Sequence, residues 1–255
     1  MSHIEPPPAE ARDEQLARGY TTRQRVMNLC GIGLFLLLSV VTIWRMADIV
    51  DVYDLKRWGW MVAVGVAVGL PFADLMSGLV HWSADNWGSE SWPIIGGFVR
   101  PFRNHHVDPE EMTRHGFVER NGDPCIFALP MFWCASGFEG DPWWQLFGNS
   151  FCIGTGYWVL LTNQVHAWAH MRSVPRFVRL LQRLHFILPP QHHAAHHRSP
   201  YARNYCITTG WMDGPLRWFR VLFILEWTLT KLTGVQPLHA QIAADEEAEV
   251  PELLV

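Results

Sequence analysis

The stretch from Val26 to Ile43, VMNLCGIGLFLLLSVVTI, carries no charged residue. With Trp44 at its edge it approaches the roughly 20 residues needed to cross the hydrocarbon core of a bilayer. Such a run restricts the fold severely, because in lipid the backbone must satisfy its own hydrogen bonds, and only helices and closed barrels do that. Trp58 to Leu79, WGWMVAVGVAVGLPFADLMSGL, is a second long apolar run, with Asp74 as its one charge. Gly65 and Gly69 give it a GxxxG spacing that permits close helix contact. Pro71 is tolerated there if neighbouring helices satisfy the backbone. Two more apolar blocks, PCIFALPMFWCASGF and WWQLFGNSFCIGTGYWVLLTNQVHAW, flank the turn EGDPW and read as an antiparallel hairpin. The first block is short, so it is a tilted span, a short span or a re-entrant segment. The expected fold is an all-α multi-pass membrane protein of about four transmembrane helices.

Composition agrees with that class. Charged residues make up 17% of the 255-residue chain, against about a quarter for an ordinary soluble protein, while mean hydropathy is +0.03. The net charge of -4 and the absence of a Lys/Arg-rich tract exclude a nucleic-acid partner. Residues 1–25 read as a disordered cytoplasmic tail, 26–240 as one integral-membrane domain, and 241–255 as an acidic disordered tail. The segments VPRFVRLLQRLHFIL and PLRWFRVLFILEWTLTKLTG read as amphipathic helices lying in the membrane surface. Cys30, Cys125, Cys134, Cys152 and Cys206 contain no CxxC pair and read as buried thiols. Arg12, Arg18, Arg23 and Arg25 precede the first span. Arg100, Arg103, Arg114 and Arg120 follow the second, and Arg172, Arg176, Arg179 and Arg183 follow the fourth. The positive-inside rule puts all three regions in the cytoplasm, and the histidines with them.

Those histidines are unusually numerous. His192, His193, His196 and His197 lie within QHHAAHH, and on a helix positions four apart share a face. His81 and Asp85 in HWSAD, and His166 and His170 in NQVHAWAH, repeat that spacing at the ends of apolar runs. Asp74, two turns before His81, is either a helix–helix hydrogen bond or a group that orients a ligating histidine. His105 and His106 occupy the middle loop in RPFRNHHVDPEE, where Asp108 caps a helix begun by Pro109. His115 and His185 complete the set. Nitrogen and carboxylate donors without thiolate suit Fe, Mn, Zn or Ni. The donors outnumber what one four-coordinate zinc uses, which favours two ions. A diiron centre that uses O2 fits an enzyme embedded in lipid, whose neighbours are unreactive alkyl chains. No dinucleotide fingerprint, phosphate-binding loop or HExxH motif is present, so electrons must come from a partner protein. A membrane metal transporter or metal sensor is the alternative of another class. A transporter places ligands near the midplane, and only Asp74 is a candidate for that depth.

The segments ADLMSGLVHWSADNWGS, FVRPFRNHHVDPEEMTRHGFVERNGD, LTNQVHAWAH, LLQRLHFILPPQHHAAHHRSP and YCITTGWMDGPL resemble the plasmanylethanolamine desaturase family, the Kua or CarF-like lipid desaturases. The resemblance runs from about residue 71 to residue 236. It implies a membrane enzyme that uses two Fe ions, O2 and two electrons to turn the 1-O-alkyl ether of a plasmanylethanolamine into a vinyl ether, giving a plasmalogen. Carried over residue by residue, it implies catalytic roles for His81, Asp85, His115 and His185. The implied metal ligands are His81, Asp85, His105, His106, His166, His170, His192, His193, His196 and His197. The implied partners are an ether phospholipid, membrane lipid, and an electron donor such as a ferredoxin or a b-type cytochrome with its reductase. Plastid relatives act on acyl chains, so an acyl-lipid desaturase or hydroxylase is the alternative enzyme. The expected location is a bacterial inner membrane, or the endoplasmic reticulum in a eukaryote.

Overall fold

A Thr-x-x-Gln box starts the first helix. The Thr21 hydroxyl accepts the Gln24 N–H at 3.2 Å, and Gln24 Oε1 accepts the Thr21 N–H at 2.9 Å, a reciprocal cap that satisfies two free donors. In this computed structural model the described residues are 21–52, 55–93 and 95–249. Helix α1 spans Thr22–Val52, α2 Leu55–Trp58, α3 Trp60–Asn86, α4 Gly96–Val107, α5 Phe117–Ser136, α6 Pro142–His170 and α7 Arg176–Arg183. Short α8, Pro190–Ala194, is followed by α9, Asp213–Trp218, α10, Val221–Thr233, and α11, Leu238–Glu249. Among the described residues the regular structure is entirely helical.

Helices α1, α3, α5 and α6 form a bundle. Phe35 of α1 meets Phe132 of α5 edge-on at 5.1 Å, and Asn28 Nδ2 donates to the Val118 carbonyl at 3.4 Å. Earlier residues of α1 thus meet earlier residues of α5, and the two run in the same direction. Helices α3 and α6 also run together. A Cβ on Gly69 would lie 2.7 Å from Thr155 N, and one on Gly154 would lie 2.9 Å from Val66 Cα. The GxxxG spacing therefore does what it suggested, letting two backbones touch. Phe35, Cys125, Ala128, Phe132 and Leu160 fill the contact of α1, α5 and α6. The starts of α1 and α5 and the ends of α3 and α6 consequently gather at one end of the bundle.

Two helices, Thr22–Val50 and Lys56–Asn86, are long and apolar enough to cross a membrane. Their outer faces stay apolar and uncovered: Val40 is 64% exposed, and Leu37, Ile43 and Trp44 are similarly bare. That pattern suits lipid contact, since water would penalise a contiguous apolar surface of this size. The cysteines divide, with Cys125, Cys152 and Cys206 buried and Cys30 and Cys134 exposed, all as free thiols.

Several boundaries differ from expectation. Helix α1 begins before Val26 and continues past Trp44, because the charged residues that seemed to end the span are still good helix formers. Helix α5 starts at Phe117, ahead of its apolar block, so this segment is one continuous helix of 20 residues. Asp108 does not begin a helix at Pro109. It ends α4, pairs with Arg114 at 2.6 Å and precedes a 3-10 turn at Glu111–Thr113. The acidic C-terminal stretch is helical through Glu249, consistent with its Ala and Glu content. The first twenty residues and the last six, where the disordered tails were expected, lie outside the described residues. The amphipathic segments appear as α7 and as the α9–α10 pair. Helix α10 buries none of its residues, and Phe223, Ile224 and Trp227 are exposed along it.

Candidate metal centre

At the end of the bundle where α3 and α6 stop, nine donor side chains collect into two adjoining groups. The first group is His105, His166, His170, His193 and His197; the second is His81, Asp85, His106 and His196. Within each group the donor atoms lie within 4.8 Å of one another. Sequence neighbours are shared out between them. His105 and His106, in the last turn of α4, go one to each group. His193 and His197 join the first, and His196 joins the second. The i,i+4 pair of α6 serves one group, and the i,i+4 pair of α3 serves the other.

Helix α4 is brought to this position by Arg103, whose Nη2 donates to the carbonyls of Trp87 and Gly88 at 3.3 and 3.0 Å, just beyond α3. The loop after α8 is held by Asp74. Its Oδ1 accepts the N–H groups of Thr208, Thr209 and Gly210 at 3.2, 2.6 and 3.1 Å, and its Oδ2 accepts that of Met212 at 2.9 Å. The buried Asp74 bonds no histidine directly and no neighbouring helix; it bonds four backbone amides of a distant loop. That loop does the orienting. The Tyr205 carbonyl accepts His81 Nδ1–H at 3.0 Å, and the Arg203 carbonyl accepts His196 Nδ1–H at 2.8 Å. Each bond fixes the tautomer and turns the Nε2 lone pair inward.

In the second group the Nε2 atoms of His81, His106 and His196 stand 3.4, 3.2 and 3.4 Å from Asp85 Oδ2. These four atoms are buried, and none of them has a hydrogen-bond partner. Buried polar atoms are rarely left this way, and four converging on one point fit a cation. In the first group Nε2 faces Nε2: His166 to His193 at 2.7 Å, His193 to His197 at 3.0 Å, and His166 to His170 at 3.3 Å. Burial holds the His105 and His193 imidazoles well below the usual histidine range, and it lowers His197 to about 2. All three are thus neutral donors with lone pairs to give, which is the state metal binding requires. The donor set fits two transition-metal ions side by side.

Three histidines expected at the centre lie outside both groups. His192 Nε2–H donates to Asp213 Oδ2 at 2.7 Å, in a space that Gly210 (φ +79°) leaves open. His115 pairs with Glu119 at 2.8 Å and is 36% exposed. His185 is exposed at a left-handed position, φ 57°. Sequence reasoning did not find the orienting carbonyls of Tyr205 and Arg203, because an orienting main-chain carbonyl leaves no trace in side-chain identity. It also passed over Asn86, which donates to the Tyr205 hydroxyl at 3.1 Å and accepts from His239 at 2.7 Å.

The lipid desaturase domain matches residues 70–240, the segment that supplies every donor in both groups. The chain belongs to the lipid desaturase family. A plasmanylethanolamine desaturase of Myxococcus xanthus is 40% identical over 90% of this chain and 80% of its own length. Plasmanylethanolamine desaturase 1 of Mus musculus is 39% identical over 88% of this chain and 83% of its own. Chloroplastic fatty acid desaturase 4 of Arabidopsis thaliana is 33% identical over 66% of this chain and 52% of its own. No solved structure matches the chain. As a lipid desaturase the protein is an oxidoreductase, and its histidine-rich groups could hold metal ions.

Proposed function

We propose that this lipid desaturase forms the vinyl ether of a plasmalogen by removing two hydrogens from the 1-O-alkyl chain of plasmanylethanolamine. The observation that carries the reading is the pair of buried donor groups, whose orphaned atoms converge at one end of the bundle. The names of the two relatives matched over most of their length supply the substrate. The first group, His105, His166, His170, His193 and His197, would hold one iron, and His81, Asp85, His106 and His196 would hold the other. Two irons so held supply the activation of O2 needed to oxidise an unactivated alkyl chain, with electrons from an external ferredoxin or b-type cytochrome.

The chain's own residues do the rest. Asp74 fixes the loop whose carbonyls orient His81 and His196, so those ligands need no reorganisation when a cation arrives. Asp85 brings the one negative charge of the two groups. His192, held by Asp213, braces the loop from outside rather than ligating. His115 and His185 stand apart from both groups and take no part in holding metal. Helices α1, α3, α5 and α6 all cross the bilayer, with the centre at the cytoplasmic end, and residues 26–240 act as one integral-membrane unit. The expected membrane is a bacterial inner membrane.

The test is to supply purified, iron-loaded protein with O2, a reduced ferredoxin, and either an alkyl-ether or a diacyl ethanolamine lipid. The reading expects a product two hydrogens lighter from the ether lipid alone. Desaturation of the diacyl lipid alone would make the protein an acyl-lipid desaturase. No product from either lipid, at full iron content, would count against both.

A further inference from the structure

Behind the carbonyls that orient the second group lies a cavity of about 280 Å³, close to the lower limit of roughly 300 Å³ for small-ligand pockets. Its wall includes Arg203, Tyr205, Asp213, Arg217, Arg220 and Phe223. Arg203 and Tyr205 are the residues whose main chains hold His196 and His81, so the cavity and the metal centre are separated by a single thickness of chain. We propose that this cavity binds the phosphate of the phospholipid substrate through Arg217 and Arg220, with Arg203 beside them. The inference rests on the lipid desaturase reading and adds where the headgroup sits.

Three observations support it. First, none of the three arginines has a carboxylate partner among the described residues. Asp213, the acid in the wall, is already committed to His192 and to the Cys206 N–H at 3.1 Å. Arg203 spends its Nε on the Ala195 carbonyl at 3.3 Å, which leaves Arg217 and Arg220 as the unpaired forks suited to planar, bidentate recognition of phosphate oxygens. By contrast, Arg100 and Arg103 are spent on main-chain carbonyls. Second, Arg220 occupies a left-handed conformation (φ 54°, ψ 32°) at the junction of α9 and α10. That conformation is costly for a residue with a Cβ, and it places the guanidinium over the Phe223 ring at 4.2 Å, on the cavity wall. Third, Phe223 of the wall is exposed, and so are Trp218, Phe219 and Ile224, its neighbours along the chain. Apolar and aromatic side chains beside arginines are the composition of a surface lying at headgroup depth. The chemistry makes the same demand: only the glycerol backbone separates the phosphate from the carbons beside the ether oxygen, so the enzyme must hold the headgroup close to its metals.

The test is binding to the metal-free, full-length protein in detergent, read by native mass spectrometry, so that it is independent of turnover. The probes are a 1-O-alkyl phosphoethanolamine lipid, the alkyl-acyl-glycerol lacking the phosphate, and inorganic phosphate. Wild-type protein is expected to retain the phospholipid well above the neutral lipid, with inorganic phosphate a poor competitor. Arg217→Gln/Arg220→Gln should weaken phospholipid retention by about tenfold or more and leave neutral-lipid retention unchanged. Arg217→Lys/Arg220→Lys should recover part of it. Arg179→Gln/Arg183→Gln, which removes equal charge outside the cavity, should bind as wild type. Undiminished phospholipid binding in the doubly neutralised protein would overturn the proposal. So would equal loss in the Arg179/Arg183 control, or capture of inorganic phosphate in preference to the lipid. Desaturation of a different chain would refute the substrate reading while leaving this result intact.

Discussion

The two donor groups differ in how they are held. The second is preorganised from outside: main-chain carbonyls fix His81 and His196, Asp74 fixes the loop bearing those carbonyls, and Asp85 supplies charge. In the first, five imidazoles lean on one another, and the Nδ1 atoms of His193 and His197 are buried without a partner. One group is a scaffolded, anionic site. The other is a neutral one whose geometry depends on a cation to separate crowded nitrogens. Two ions bound here would therefore be inequivalent, and each would depend on a different part of the chain.

The sharpest way to break that comparison is to remove one ligand from each group. His193→Ala and His196→Ala should each lower turnover by more than the roughly 100-fold seen for outer ligand partners. Each should also lose about one iron per chain in elemental analysis. If either variant kept both irons, its residue would not be a ligand. Asp74→Asn comes next. It weakens a carboxylate bonded to four amides, so it should cost about 2–4 kcal/mol in unfolding experiments. It should also release iron from the second group before the first, because only the second takes its orienting carbonyls from that loop.

A third test uses acidity. Burial lowers the affinities of His105, His193 and His197 for protons, so the folded chain binds fewer protons than the unfolded one. The stability from these groups is therefore complete above about pH 6.5 and lost as pH falls towards their folded values. Chelated protein should lose thermal stability below that pH more steeply than the roughly 1.4 kcal/mol per pH unit of a single histidine. A flat profile would mean that the first group is not a cluster of buried neutral imidazoles. The smallest effect belongs to His115→Gln. Its partner Glu119 lies outside both groups, and activity should stay within about twofold of wild type, a surface-substitution effect. A large loss would extend the centre to the connection between α4 and α5.

Much of this organisation is legible in the sequence because lipid imposes simple rules. A charge-free run marks α1, an apolar run with Asp74 as its one charge marks α3, the GxxxG of Gly65 and Gly69 marks the α3–α6 contact, and paired histidines mark the metal face. The relatives bear out the desaturase reading. What the sequence hides is long-range main-chain contact. Asp74 looked like a partner for a neighbouring helix, and only the fold shows it reaching amides more than a hundred residues away. Helical spacing paired His192 with His196, whereas the chain turns after Ala194 and sends the two to different partners, Asp213 and Asp85. The start of α5 was missed because its first turns are polar, and hydropathy sees only the apolar block that follows.

The two donor groups are proposed to hold two ions in unlike surroundings. Mössbauer spectroscopy of protein loaded with iron-57, alongside quantified iron, tests that arrangement most directly. Two irons per chain are expected, with two distinguishable signals of equal area, one from the imidazole-only group and one from the group containing Asp85. A single iron per chain, or iron bound without either histidine group being required, would contradict that arrangement.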